Sequence, residues 1–365
     1  MLDWKNRAGS SNQEAPGKTD TGSAPAKTRG YLGSLLLSRA VIGLVVIYLV
    51  VTLVIGWWWS HEPPMFPVQQ NAQAAAEREG RQMVVGFTTV ETLKTVASTL
   101  LDKRGGYISN DHLPPGLWLD NMPSWEYGVL VQVRDLSRAL RKDFARSQSQ
   151  STEDADLARA EPKFNFDNKS WMLPSSESEF REGIHSLSRY QQRLSDPSQR
   201  TALFYARADN LNNWLGDVAT RLGSLSQRLS ASVGRVKLNS TLKTEAAAAE
   251  VKPGQVPQVD EEIVETPWLQ IDNVFYEARG EAWALSHLLR AIEVDFADVL
   301  AKKNATVSVR QIIRELEASQ EPLWSPMVLN GGAFGMLANH SLVMANYISR
   351  ANAAVIDLRQ LLSQG

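Results

Sequence analysis

The sequence predicts an all-α protein: a single N-terminal transmembrane helix followed by an elongated periplasmic helical bundle with long coiled-coil-like seams. Three observations predict it. Residues 40–59, AVIGLVVIYLVVTLVIGWWW, carry no charge. Downstream, apolar residues recur at alternating steps of three and four, the period of helices with one buried stripe. No convincing alternating strand and no Asn-Gly hairpin turn interrupts that rhythm.

Residues 1–34 are rich in Ser, Gly, Thr, Pro and Lys, a composition that cannot bury enough surface to offset chain entropy, so they read as a disordered basic cytoplasmic tail. Residues 35–60 read as the transmembrane helix. At about 1.5 Å per residue the twenty uncharged residues cover about 30 Å, the hydrocarbon thickness of a bilayer. Arg39 marks one interface, and Trp57, Trp58 and Trp59 mark the other, where indoles favour the headgroup level. Lys5, Arg7, Lys18, Lys27, Arg29 and Arg39 precede the apolar run, and no Lys or Arg follows it until Arg78. That asymmetry keeps the tail in the cytoplasm and exports the rest. A cleaved signal peptide would have a shorter apolar run and a small-x-small site close behind it. Ala72-Gln73-Ala74 lies too far downstream, so an uncleaved anchor in the inner membrane is expected.

Residues 61–237 read as a helical region with Trp-rich loops. His61–Pro67 holds three prolines and must be a non-helical exit. Phe87, Val90, Leu93, Ala97 and Leu100 suggest one helix over about 69–103, and Val129, Val133, Leu136, Leu140 and Phe144 a second over about 125–146. A short acidic helical turn is expected within 151–160. The stretch from Ser176 is helical, and Asp196-Pro197 looks like an N-cap with proline behind it, where the chain restarts or kinks. The next seam runs Phe204, Ala208, Leu211, Leu215, Val218, Leu222, Leu225, Leu229. Residues 238–267 read as a flexible Pro/Ala/Glu linker, and 268–365 as C-terminal helices completing the bundle. These carry a seam from Ile271 through Phe275, Ala282 and Leu289 to Val299, a shorter helix over 307–318, and a last seam from Leu337 through Met344, Ile348 and Val355 to Leu362. Narrow seams must face one another or a second subunit, so intramolecular pairing and self-association are both open.

Composition narrows the function classes. The absence of cysteine excludes disulfides, thiolate metal sites and cysteine nucleophiles. The net charge is −2, of which residues 1–39 contribute +3 (six basic, three acidic), leaving −5 on the remainder. A mildly acidic body has no footprint for nucleic acid. The five histidines show no metal-ligand spacing, and no nucleophile elbow, P-loop or dinucleotide fingerprint is present, so no catalytic residue, metal or cofactor is assigned. His287 and His340 lie near seams and read as satisfied or half-exposed bundle residues. Gly331–Gly335, GGAFG, reads as a turn before the last helix, with anion binding the weaker alternative.

Two aromatic-polar loops stand out as the candidate ligand or partner surface. The first supplies Trp118, Asp120, Asn121, Trp125 and Glu126, and the second Asp167 and Trp171. Trp beside Asp and Asn suits stacking on sugar rings, and Asp120 with Glu126 would suit glycoside hydrolysis if about 5 to 9.5 Å apart. The plainer reading makes Trp118, Trp125 and Trp171 plugs at the end of the bundle. In wording, PGLWLDNMPSWEYGVLVQVRDLSRALRKDF followed by FNFDNKSWMLPSSESEFREGI resembles a bacterial family of uncharacterised proteins catalogued as a domain of unknown function. The resemblance implies a single-pass inner-membrane protein of Gram-negative bacteria and supplies no catalytic residues. The expectation is therefore a non-enzymatic scaffold or docking protein, anchored in the lipid bilayer by its helix, with an envelope protein partner or self-association. A module that binds or cleaves cell-wall glycan is the alternative.

Overall fold

The computed structural model describes residues 28–147, 151–198, 201–233, 235–238, 261–322, 327–331 and 338–364, with backbone alone at 28–38, 235–238 and 261–264. The tail 1–27, most of the linker (239–260), Leu337 and the glycines at 332 and 335 lie outside the described residues. The chain divides into two compact units, Met1–Val51 and Thr52–Gly365.

The first helix, α1 (Thr28–Trp59), crosses that division. Its stretch Arg39–Trp59 is, among the described residues, the one segment long and apolar enough to cross a membrane or serve as a signal sequence, by length and composition. In the first unit the side chains of Val41–Val51 are solvent-exposed. In the second, Thr52 and Gly56, one turn apart on α1, are buried.

The second unit is a helical bundle. Where the periodicity predicts one helix over 69–103, the structure has two, α2 (Val68–Glu79) and α3 (Phe87–Asp102). Glycine is the reason. Gly80 ends α2 at φ 60° and Gly86 opens α3 at φ 93°, left-handed conformations that side chains resist. The Phe204 ring also lies over Gly86, so that a Cβ there would stand 2.3 Å from it. The unpaired N–H groups at the start of α3 are met from another helix: Asp295, the last residue of α8 (Ile271–Asp295), accepts from Thr89 N at 2.7 Å and Thr89 Oγ1 at 2.6 Å.

The most extensive helix pairing joins α8 to α4 (Asn121–Ala139), which continues through one π-helical turn to Phe144. The two backbones touch at glycines: a Cβ on Gly128 would lie 2.1 Å from Glu277 O, and one on Gly280 2.0 Å from Trp125 O. Beside this crossing, buried Gln132 donates from Nε2 to Glu281 Oε2 at 3.0 Å. Burial and the neighbouring Glu277 push the Glu281 carboxyl up to about 8, so it is held protonated at neutral pH.

Around this centre α5 (Ala155–Phe164) pairs with α6 (Ser176–Leu194), α7 (Ala208–Ser230) with α11 (His340–Ser363), and α10 (Thr306–Ala318) with both α11 and α8; α9 (Ala297–Lys302) is a short connector. The repeating apolar residues are buried: Leu211 through Leu229 on α7, Phe275 through Ile292 on α8, Met344 through Leu362 on α11. Two expectations need correction. Asp196-Pro197 does not restart a helix. Asp196 Oδ1 accepts from Ser198 N and Oγ in a tight turn, and α7 begins only at Ala208, leaving Phe204 ahead of it. Strands also exist: β1 (Arg235–Leu238) pairs antiparallel with β2 (Glu261–Val264), setting Val236 opposite Ile263 and Lys237 opposite Glu262. Four residues a strand, alternating in β1 but not in β2, are too few to stand out from linker composition, but pairing satisfies both backbones.

Candidate functional site

The two Trp-rich loops do come together, and buried polar groups join them. Glu126, in the first turns of α4, is fully buried and ion-paired with buried Lys103. Its carboxylate accepts from Ile108 N and Ser109 N, each at 2.8 Å, and from the Ser109 hydroxyl, folding the first loop back over α4. Burial pushes this carboxyl up while Lys103 and the donors oppose it. Tyr107 Oη donates to Asn168 O at 2.9 Å, and Asn110 Nδ2 donates to Ser170 O and Glu177 Oε2, each at 2.8 Å. Arg134 fixes the start of the second loop by donating to Phe164 O and Phe166 O. At the tips, the His112 and Trp171 rings meet edge to face at 5.1 Å.

The predicted site residues therefore separate. Trp125 and Glu126 are no surface: both are buried, Trp125 against Trp283 with ring centroids 5.3 Å apart. Trp125 meets α8 at the glycine crossing, and Glu126, next on α4, faces Lys103 and the first loop. With Glu126 occupied by Lys103 and three donors, the carboxylate pair imagined with Asp120 is not available for glycoside chemistry. Of the three tryptophans read as plugs only Trp125 is buried, and Trp118 and Trp171 are 52% and 58% exposed. Asp120 and Asp167 are exposed, Asp167 accepting from Lys169 N in a turn, and Asn121 is half-buried. Around the two exposed indoles stand Leu113, Leu117, Met172 and Leu173, the last 91% exposed and held at φ 56°, a left-handed conformation that costs a branched residue about 1–2 kcal/mol. Among the described residues no three His, Asp or Glu side chains converge as a metal site.

Sequence reasoning missed a second feature, the exit segment 60–67. It is strapped to the body. Buried Arg279 on α8 grips Glu62 with two nitrogens (Nε–Oε1 2.7 Å, Nη2–Oε2 2.6 Å) and donates also to the carbonyls of Ser319, Gln320 and Glu321. Phe66 stacks on the His287 ring at 4.0 Å and donates its N–H to His287 Nε2 at 3.0 Å. His287 Nδ1 lies 2.6 Å from Trp283 O, so the ring is neutral with the proton on Nδ1. Burial, against which the Trp283 carbonyl works, pushes its pKa down to about 4. A buried arginine and histidine on α8 signal that partners exist, but nothing in the sequence points 217 residues back to Glu62. Two clefts flank the strap. One of about 400 Å³ is lined by Glu62, Thr95, Ser98 and Lys103, and one of about 350 Å³ by Ser60, Met65, Tyr276 and Arg279. Trp59 packs over Gly105, and the Arg104 guanidinium lies 4.4 Å from the Trp58 ring centre.

Residues 33–365 match the model of the family described as "Uncharacterized protein conserved in bacteria (DUF2333)", and the chain belongs to that family, as the loop wording implies. Neither among curated proteins nor among solved structures does anything match the chain.

Proposed function

We propose that this chain is a single-pass inner-membrane protein, its tail cytoplasmic and its helical body periplasmic, that works as a non-enzymatic scaffold or docking protein of the cell envelope. The basic residues before the apolar run and the tryptophans after it support the orientation. The observation that carries the reading is the strap: Glu62 in the grip of Arg279 and Phe66 on His287 leave no free tether between the end of α1 and the body. A body so held suits presenting fixed surfaces at the membrane, and the clefts beside the strap are where an envelope partner would dock. The seams of α7, α8 and α11 are read as coiled-coil-like packing within one chain, with self-association the competing use of a seam. Photo-crosslinkers at Ser98 and Tyr276, followed by mass spectrometry on intact cells, are expected to capture one recurrent envelope protein from both clefts. Capture of none would sink the docking reading. A reporter fused to the C-terminus is expected to report the periplasm, and a cytoplasmic signal would reverse the topology.

A second reading, binding of cell-wall glycan, is favoured by the exposure of Trp118 and Trp171 near exposed Asp120 and Asp167. It predicts that the full chain co-sediments with purified cell-wall sacculi and that Trp118→Ala with Trp171→Ala abolishes this. Sedimentation unchanged by that pair, or absent from the start, removes the reading.

A further inference from the structure

The six apolar residues at the loop tips, Leu113, Leu117, Trp118, Trp171, Met172 and Leu173, are exposed, Trp171 with its ring against that of His112. We infer that they are a second membrane contact: the paired loop tips enter the interfacial layer of the same bilayer leaflet from which α1 emerges. This rests on the anchored reading above.

The position of the first loop carries the inference. Gly56 belongs to the uncharged run, one turn inside Trp59 and Ser60, and its nearest neighbours are Pro115 and Leu119: a Cβ built on it would lie 3.3 Å from Pro115 Cβ and 3.9 Å from Leu119 Cδ2. Thr52, a further turn inward, is buried as well. The loop therefore lies alongside the last turns of the apolar helix and not beyond them. If those turns are in the bilayer, so is the level of Pro115 to Leu119. Leu117 and Trp118 lie between these two contacts in the chain and are more than half exposed. The second loop is carried to the same place by the His112–Trp171 ring contact and the Asn110–Ser170 hydrogen bond.

The chemistry fits lipid better than sugar or protein. Leu, Met and Trp without a charge among them match the acyl–headgroup boundary, where indoles prefer to sit. The Arg104 guanidinium over the Trp58 ring places a cation beside the exit, as lipid phosphates would favour. Sugar platforms pair an indole with hydrogen-bonding neighbours; Asp120, Asp167 and His112 stand near these indoles, but the side chains next to them in the chain, Leu117, Leu119 and Met172, are apolar. Leu173, held in a left-handed conformation with its side chain in the open, is spent on exposure and not on packing.

The chain has no cysteine, so single cysteines are unique labelling sites. Spin labels at Leu117→Cys and Leu173→Cys are read in the full chain, reconstituted in phosphatidylethanolamine–phosphatidylglycerol nanodiscs. Val46→Cys in the apolar run and Val307→Cys on α10, 77% exposed, serve as references. Collision with lipid-soluble oxygen against a water-soluble nickel chelate is the readout. The labels at 117 and 173 are expected to shift from the water-like ratio of 307 towards the lipid-like ratio of 46. A water-like ratio at both, with 46 lipid-like, overturns the loop contact and leaves the anchor standing. A water-like ratio at 46 overturns the anchor and the contact together. Protection from both reagents at 117 and 173 means that a protein surface or second copy covers the tips, and overturns the lipid assignment.

Discussion

The exit segment and the loop pair are both proline-containing irregular stretches of the same body, yet they are used in opposite ways. The exit segment turns inward: Glu62 and Phe66 spend their side chains on Arg279 and His287. The loop pair turns outward. Its backbone is tied down by Glu126, Tyr107, Asn110 and Arg134, while its largest apolar side chains at the tips touch little. In both places buried polar groups fix the chain, because each such group must find its partner or forfeit its hydration. What differs is where the apolar side chains go. The difference separates residues that hold the fold from residues free to meet something outside it.

The strongest way to break this comparison is at the buried anchor of the loops. Glu126→Ala leaves the buried Lys103 ammonium with the Gly106 carbonyl but no counter-charge, and removes the acceptor of Ile108 N and Ser109 N, an expected loss of about 3–5 kcal/mol. It would be read as a lower urea midpoint for the full chain in detergent, and an unchanged midpoint would refute the anchoring role. Arg279→Ala leaves Glu62 and three carbonyls without their donor, with an expected loss of about 3 kcal/mol. Hydrogen exchange at residues 60–67 should quicken while the loop pair stays protected, and equal loosening of both would show that the two regions are not separate.

Acid sharpens the comparison further, because only the strap depends on a neutral histidine. The folded state holds the His287 pKa at about 4, below its ordinary 6.5. Its neutral form therefore contributes fully above pH 6.5, and the contribution is lost as pH falls towards 4, about 2 kcal/mol of it by pH 5. His287→Gln keeps an acceptor for Phe66 N–H without titrating, so its midpoint should fall less between pH 7 and 5 than that of the parent. The smallest effect is expected at the tips. Leu173→Asn removes an almost fully exposed side chain and suits φ 56°, so stability should stay within about 0.5 kcal/mol. A loss several times larger in detergent would mean that Leu173 is packed, and the contrast between the regions would fail.

Much of the helical body was legible from spacing. On α7 and α11 the residues repeating at three and four steps are the ones the structure buries, since a helix with one apolar stripe has one face to hide, whereas α8 is buried on every side from Ala278 to Leu289. The break between α2 and α3 was less so. Gly80 and Gly86 are visible in the sequence, but the apolar period runs through them, and it takes Phe204 and Asp295 from distant segments to show why the chain must part there. Of the candidate site, the sequence picked out the right loops and mixed their roles. Trp118 and Trp125 look alike in sequence; the loop ahead of α4 leaves the first exposed, and α4 turns the second onto Trp283.

The sequence by itself determined the class of the fold, the apolar segment of α1 and the faces of the long helices, because these follow from local period and from the absence of charge. The tertiary structure alone decided that Glu126 belongs to Lys103, that Glu62 belongs to Arg279, and that the loop tips lie beside Gly56. Those are pairings between segments far apart in the chain. They are selected by which buried groups can satisfy one another once the helices have packed, and no local pattern encodes that choice.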